Sequence, residues 1–174
     1  MRSGALVTAL LLCLAAPARA VDSVSFEIGR GSDHTDLWRV GAQWRWAKSW
    51  FSNAHRRLGG YWDLQAGEWR NETGRHIRDI SLTPVFRLQW EPAVASPYLE
   101  AAIGFHILSS TDISSSRRFG SHVQFGDHIG AGIRYGERGH YDTSVRLQHL
   151  SNAGLAHPNP GINFLQLRFQ YHFD

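Results

Sequence analysis

From Val24 onward, apolar and polar residues alternate one for one, the period of strands rather than helices. Val24, Phe26 and Ile28 alternate with Ser25, Glu27 and Gly29. Trp38, Val40, Ala42, Trp44 and Trp46 follow, against Arg39, Gly41, Gln43 and Arg45. Near 58–66, Leu58, Trp62, Leu64 and Ala66 oppose Tyr61, Asp63 and Gln65, and near 80–90 Ile80, Leu82, Pro84, Phe86, Leu88 and Trp90 oppose Ser81, Thr83, Arg87 and Gln89. The second half repeats this. Leu99, Ala101, Ile103, Phe105 and Ile107 oppose Glu100, Gly104 and His106. Val123, Phe125, Ile129, Ala131, Ile133 and Tyr135 oppose His122, Gln124, His128 and Arg134. Tyr141, Val145 and Leu147 oppose Asp142, Ser144, Arg146 and Gln148, and Leu165, Leu167, Phe169, Tyr171 and Phe173 close the series. The pattern predicts eight strands.

Two all-β folds alternate in this way. A soluble sandwich or lipocalin-like barrel turns its apolar set inward, whereas a membrane barrel turns it to lipid and keeps polar groups inside. The polar set here carries both charge signs: Glu27, Asp63, Glu91 and Glu100 against Arg39, Arg45, Arg87, Arg134, Arg146 and Arg168. An ion-paired interior needs that mixture. Trp44, Trp46, Trp90, Tyr171 and Phe173 gather at segment ends, where interfacial aromatics belong. The expectation is an eight-stranded antiparallel transmembrane β-barrel whose interior side chains fill, leaving no pore. Arg at an interior position such as His106 is expected to be better tolerated than Arg on the lipid face at Leu147.

Composition adds a route. Residues 1–20, "MRSGALVTALLLCLAAPARA", have a basic start, a short apolar run and small residues at the end, the form of a secretory signal cleaved after Ala20. Cys13 raises the alternative of a lipoprotein signal, but apolar residues continue past it. The barrel domain is then 21–174, and the chain's single Cys leaves with the signal. That excludes a disulfide, a thiolate nucleophile and a thiolate metal site from the mature domain. Losing Arg2 and Arg19 lowers the formal charge from +3 to +1. Despite a pI near 9.4, no Lys/Arg run points to nucleic acid.

With a periplasmic N-terminus, the connections near 31–36, 71–75, 109–120 and 154–161 face outward. The seventh strand then climbs to the outer surface and ends in "HLSNAG", residues 149–154. His149 and Ser151 continue its lipid-facing set. Polar groups there are costly unless paired or at the interface, where both residues are tolerated. The chemical alternative is a Ser nucleophile beside a His base, with "Asn-Ala-Gly" supplying an amide and a pliable backbone for an oxyanion.

"HLSNAGLAHPNPGINFLQLR" closely resembles the C-terminal motif of the lipid A 3-O-deacylase (PagL) family of outer-membrane hydrolases. The likeness extends through "WRWAKSWF", "LGGYWD", "LTPVF", "YLEAAIGF" and "FGDHIGAGIRYG". The resemblance implies an eight-stranded barrel in the Gram-negative outer membrane that removes the 3-hydroxyacyl chain from the 3 position of lipid A in the outer leaflet. It implies Ser151 as nucleophile, His149 as base, and Asn152 and the backbone of Gly154 as oxyanion donors, with no metal or cofactor. Assembly as a homodimer is left open. A non-catalytic barrel of the same fold with a structural or adhesion role is the alternative, and a soluble ligand-binding barrel a more distant one.

One position departs from the family pattern. The third triad residue there is Glu, twelve positions after the Ser, and here Asn163 stands at that place. Parity still puts Asn163 on the outward set of the last strand. An amide oxygen can orient an imidazole but brings no charge. A carboxylate does lie nearby in the predicted register. Asp127 precedes the connection centred near Arg138 by as many residues as His149 follows it, which makes the two cross-strand neighbours. Either Asp127 faces outward and supports His149, or a bulge turns it inward to an Arg.

Overall fold

The computed structural model describes residues 20–53, 55–91 and 95–173. The expected signal peptide lies outside them except for Ala20. Eight antiparallel strands form a closed barrel in chain order: β1 (Ser23–Gly31), β2 (Asp36–Arg45), β3 (Arg56–Arg70), β4 (His76–Trp90), β5 (Ala95–Leu108), β6 (Val123–Tyr135), β7 (Tyr141–Ser151) and β8 (Ile162–His172). Closure comes from β1 against β8, with Glu27 opposite Arg168.

The predicted faces hold. Val24, Phe26, Ile28, Leu64, Phe86, Ile129, Leu147 and Leu165 stay exposed on the wall, where lipid replaces water. The strands β3, β4 and β5 run several residues past the predicted spans, because polar residues at the ends of β3 and β4, and Ser96 and Pro97 in β5, interrupt the apolar series while pairing continues. Strand β2 stops at Arg45, one residue short of Trp46. The Trp46 ring occupies the space over Gly60, where a Cβ would come within 2.3 Å of it, and packs edge-on against Trp50, Trp62 and Phe86.

Inside, four arginines meet five carboxylates among the described residues. Arg146 alone reaches Glu100 at 2.7 Å, Glu27 at 3.3 Å, Asp63 at 3.5 Å and the Tyr61 hydroxyl at 2.9 Å. Arg39 pairs with Asp79 and Glu27, Arg87 with Asp142 and Glu100, and Arg168 with Asp63. Buried charges tolerate this only when each is paired and hydrogen-bonded. Glu91 is a correction to the expected interior set: it lies past the end of β4 and pairs with Arg57 where both are well exposed.

A second correction concerns the end that holds Ser151. The interior there is apolar: Leu37, Trp69, Ile77, Leu108, Leu150, Ile162 and Phe164 close over it with Ile113 and Phe119 from the 109–122 connection. The barrel is polar along its length and capped by an oily plug. The signal was in the sequence, since Leu150 and Ile162 occupy inward parity beside the polar outward residues.

Candidate active site

The site is a row across three strands. The β6–β7 ladder runs without a bulge and sets Asp127 opposite His149, while the β7–β8 ladder sets His149 opposite Asn163. All three side chains stand on the outer wall, so the outward alternative for Asp127 is the one realised. Ser151 lies one pleat further along β7, on the same face, opposite Phe125.

His149 Nδ1 and Asn163 Oδ1 are 2.6 Å apart. An amide oxygen only accepts, so Nδ1 carries the proton and donates it to that bond. The other ring nitrogen, Nε2, then holds the lone pair a general base needs. Gly161 backs the ring. Its φ is +64°, a region L side chains avoid, and a Cβ there would come within 2.6 Å of His149 Cε1. Among the described residues Asp127 makes no hydrogen bond to the ring, and Ser151 Oγ makes none to Nε2.

The turn after Ser151 is internally bonded. Asn152 points inward and is 2% exposed; its Nδ2 donates to the Ala156 carbonyl at 2.8 Å, and its backbone N–H donates to Asn159 Oδ1 at 3.0 Å. Gly154 N–H donates to Asn152 Oδ1 at 3.0 Å. The Gly154 N–H and one of the two Asn152 Nδ2 hydrogens are therefore engaged within the turn. Asn152 is a brace. Ala153, between them at φ +53°, keeps a backbone N–H with no partner among the described residues.

The 109–122 connection holds this turn from above, a role the sequence did not reveal. Gly120 N–H donates to the Pro158 carbonyl at 2.7 Å. Arg117 Nη2 donates to the carbonyls of Pro160, at 3.0 Å, and Gly161. Below the row, Ile129, Leu147 and Leu165 line a shallow groove that reaches Asp127, His149 and Asn163. An ester seated at the row would thus have an apolar track for its acyl chain. No group of three or more His, Cys, Asp or Glu suited to a metal ion occurs among the described residues.

The sequence model of the family described as lipid A 3-O-deacylase (PagL) matches residues 36–172. The chain belongs to that family. Lipid A deacylase PagL of Pseudomonas aeruginosa is 34% identical over 167 residues, spanning 95% of this chain and 94% of the relative. The protein of the same name from Bordetella bronchiseptica is also 34% identical, spanning 97% and 93%. The solved structure "Crystal structure of the outer membrane enzyme PagL" superposes with a TM-score of 0.79 at 34% identity, covering 87% of this chain and 99% of that one. The barrel described above is accordingly an outer-membrane barrel of this family.

Proposed function

We propose that the protein is a lipid A 3-O-deacylase working through Ser151 and His149. The observation that carries the mechanism is the hydrogen bond from His149 Nδ1 to Asn163 Oδ1, which leaves Nε2 basic and turned away from Asn163. Ser151 Oγ attacks the carbonyl of the 3-hydroxyacyl ester as its proton passes to His149 Nε2. The tetrahedral oxyanion draws on backbone N–H groups of the turn that Asn152 braces: Ala153, and Gly154 once it exchanges its bond to Asn152. Collapse expels the sugar 3-oxygen, which takes the proton from His149. A water, deprotonated by the same nitrogen, then releases the 3-hydroxy fatty acid from Ser151.

Asp127 supplies what Asn163 lacks. When the ring becomes imidazolium, an amide orients it without balancing its charge, and a carboxylate on the adjacent strand does balance it. The groove over Ile129, Leu147 and Leu165 takes the departing chain. No metal or cofactor enters this scheme.

Mass spectrometry of lipid A from cells with and without the protein tests the proposal. The expected result is loss of one 3-hydroxyacyl chain, abolished by Ser151→Ala in a barrel that still reaches the outer membrane. Unchanged lipid A with folded wild-type protein present would instead mark a non-catalytic barrel.

A further inference from the structure

The row of Asp127, His149 and Asn163 divides the outer wall into two unlike flanks. On the β5–β6 side the wall is apolar: Asp127 pairs with Ile103, and Phe105, Phe125, Ile107 and Val123 continue toward the rim. On the β8–β1 side the character reverses. Asn163 N–H lies 3.4 Å from Ser32 Oγ, and beyond it stand Arg30 on β1, Asp36 on β2 and Arg70 on β3. Arg30 Nη1 is 3.6 Å from Asp36 Oδ1, and Arg70 Nη2 is 3.8 Å from Asp36 Oδ2. These three side chains are 66%, 49% and 62% exposed, so one carboxylate loosely spaces two guanidiniums; Arg30 Nη2 also lies 3.4 Å from His34 Nδ1. Arg78, exposed further round on β4, carries a third guanidinium on the same flank.

Arginine on a lipid-facing wall is costly except at headgroup depth, where an anionic partner offsets the cost. Planar guanidiniums with free donors recognise phosphate in pairs of hydrogen bonds. An ester presents the same asymmetry as the wall, with an acyl chain on one side and, in lipid A, a phosphorylated glucosamine on the other. Strand β1 is two strand spacings from β7, about 10 Å, the scale of one sugar with its substituents. We infer that Arg30 and Arg70, spaced by Asp36, form a phosphate-recognition site that seats the phosphorylated sugar of the substrate on the β1 side of His149. This rests on the deacylase reading and adds the substrate's orientation and a charge requirement.

The test compares lipid A bearing its glucosamine 1-phosphate with lipid A from which that phosphate has been removed, both in detergent micelles. Wild-type protein is expected to prefer the phosphorylated substrate by about tenfold in kcat/KM, mostly through KM. The double variant Arg30→Gln/Arg70→Gln is expected to lose that preference and to match wild type on the dephosphorylated substrate. The wild-type preference is a readout that does not depend on any variant folding. Equal rates of wild type on the two substrates, or equal losses by the variant on both, overturn the phosphate site while leaving the deacylase standing. Hydrolysis of neither substrate by wild type overturns the deacylase reading, and the phosphate site with it.

Discussion

His149 and Asn163 face each other across the β7–β8 ladder and share a hydrogen bond from Nδ1 to Oδ1 at 2.6 Å. The bond sets the tautomer and the ring plane; in the proposed mechanism it leaves the charge of the imidazolium unanswered. Removing it costs about one neutral hydrogen bond, ~1 kcal/mol. Asn163→Ala is therefore expected to lower kcat by roughly five- to tenfold. Asn163→Glu keeps an acceptor in place and adds charge, so it is expected to preserve or raise kcat. A steady-state assay on micellar lipid A decides this, and wild-type kcat in Asn163→Ala would remove the residue from the site.

Asp127 makes the complementary case. It pairs with His149 in the β6–β7 ladder without hydrogen-bonding to the ring, so its contribution is charge at a distance. Asp127→Asn is expected to lower kcat by about tenfold while leaving the barrel as stable as before, because a lipid-facing carboxylate is not a stabilising element. Heat-modifiable migration on a gel gives the folded fraction alongside the rate. Normal turnover in Asp127→Asn would leave Asn163 as the only orienting group.

Much of this was legible in the sequence because the strand period is two. Parity alone put His149, Ser151 and Asn163 on one face, and counting outward from Arg138 gave the Asp127–His149 pairing that the ladder has. What parity could not give is anything held by an irregular backbone. Asn152 and Gly154 are oxyanion donors only by what the family resemblance implies. Their actual bonds depend on a turn that folds back on Ala156 and Asn159. The apolar plug was missed for a different reason. Ile113 and Phe119 lie in a connection with no period, and only tertiary packing brings them under Leu150 and Phe164.

The buried network predicts its own fragility. Arg146 touches Glu27, Asp63, Glu100 and Tyr61, so truncating it takes one cationic partner from three buried carboxylates at once and leaves each to a single arginine: Arg39, Arg168 and Arg87. Arg146→Ala is expected to destabilise the barrel by about 3–5 kcal/mol. Urea unfolding in micelles measures this, and a loss below ~1 kcal/mol would mean the network repacks.

The wall and the interior were expected to differ in their tolerance of Arg, and the structure revises half of that contrast. Leu147→Arg, one row below the site on the lipid face, is still expected to cost roughly 2–4 kcal/mol. His106 is not a mild counterpart. It is fully buried, its Nδ1 lies 3.0 Å from Asp79 Oδ1, and a Cβ on Gly126 would come within 2.3 Å of its Nε2. His106→Arg must expand into that filled space, so its cost is expected to match that of Leu147→Arg in the same urea titration. A neutral His106→Arg would show interior room that the packing does not display.

Arg117 connects loop packing to chemistry. Its guanidinium donates to the Pro160 and Gly161 carbonyls, and Gly161 is the backbone against which the His149 ring rests. The loop that carries Arg117 is anchored independently by Ile113 and Phe119, both fully buried in the plug. Loss of the guanidinium should therefore loosen the wall behind the imidazole without releasing the loop or the barrel. Arg117→Ala is expected to lower kcat by about tenfold with little change in KM, since ring placement matters most when the proton moves. Arg117→Lys keeps a single donor and is expected to recover part of the loss, which a purely structural role would not require. If kcat in Arg117→Ala equals that of wild type, the Gly120 bond to the Pro158 carbonyl is sufficient to hold the turn, and Arg117 has no part in placing His149.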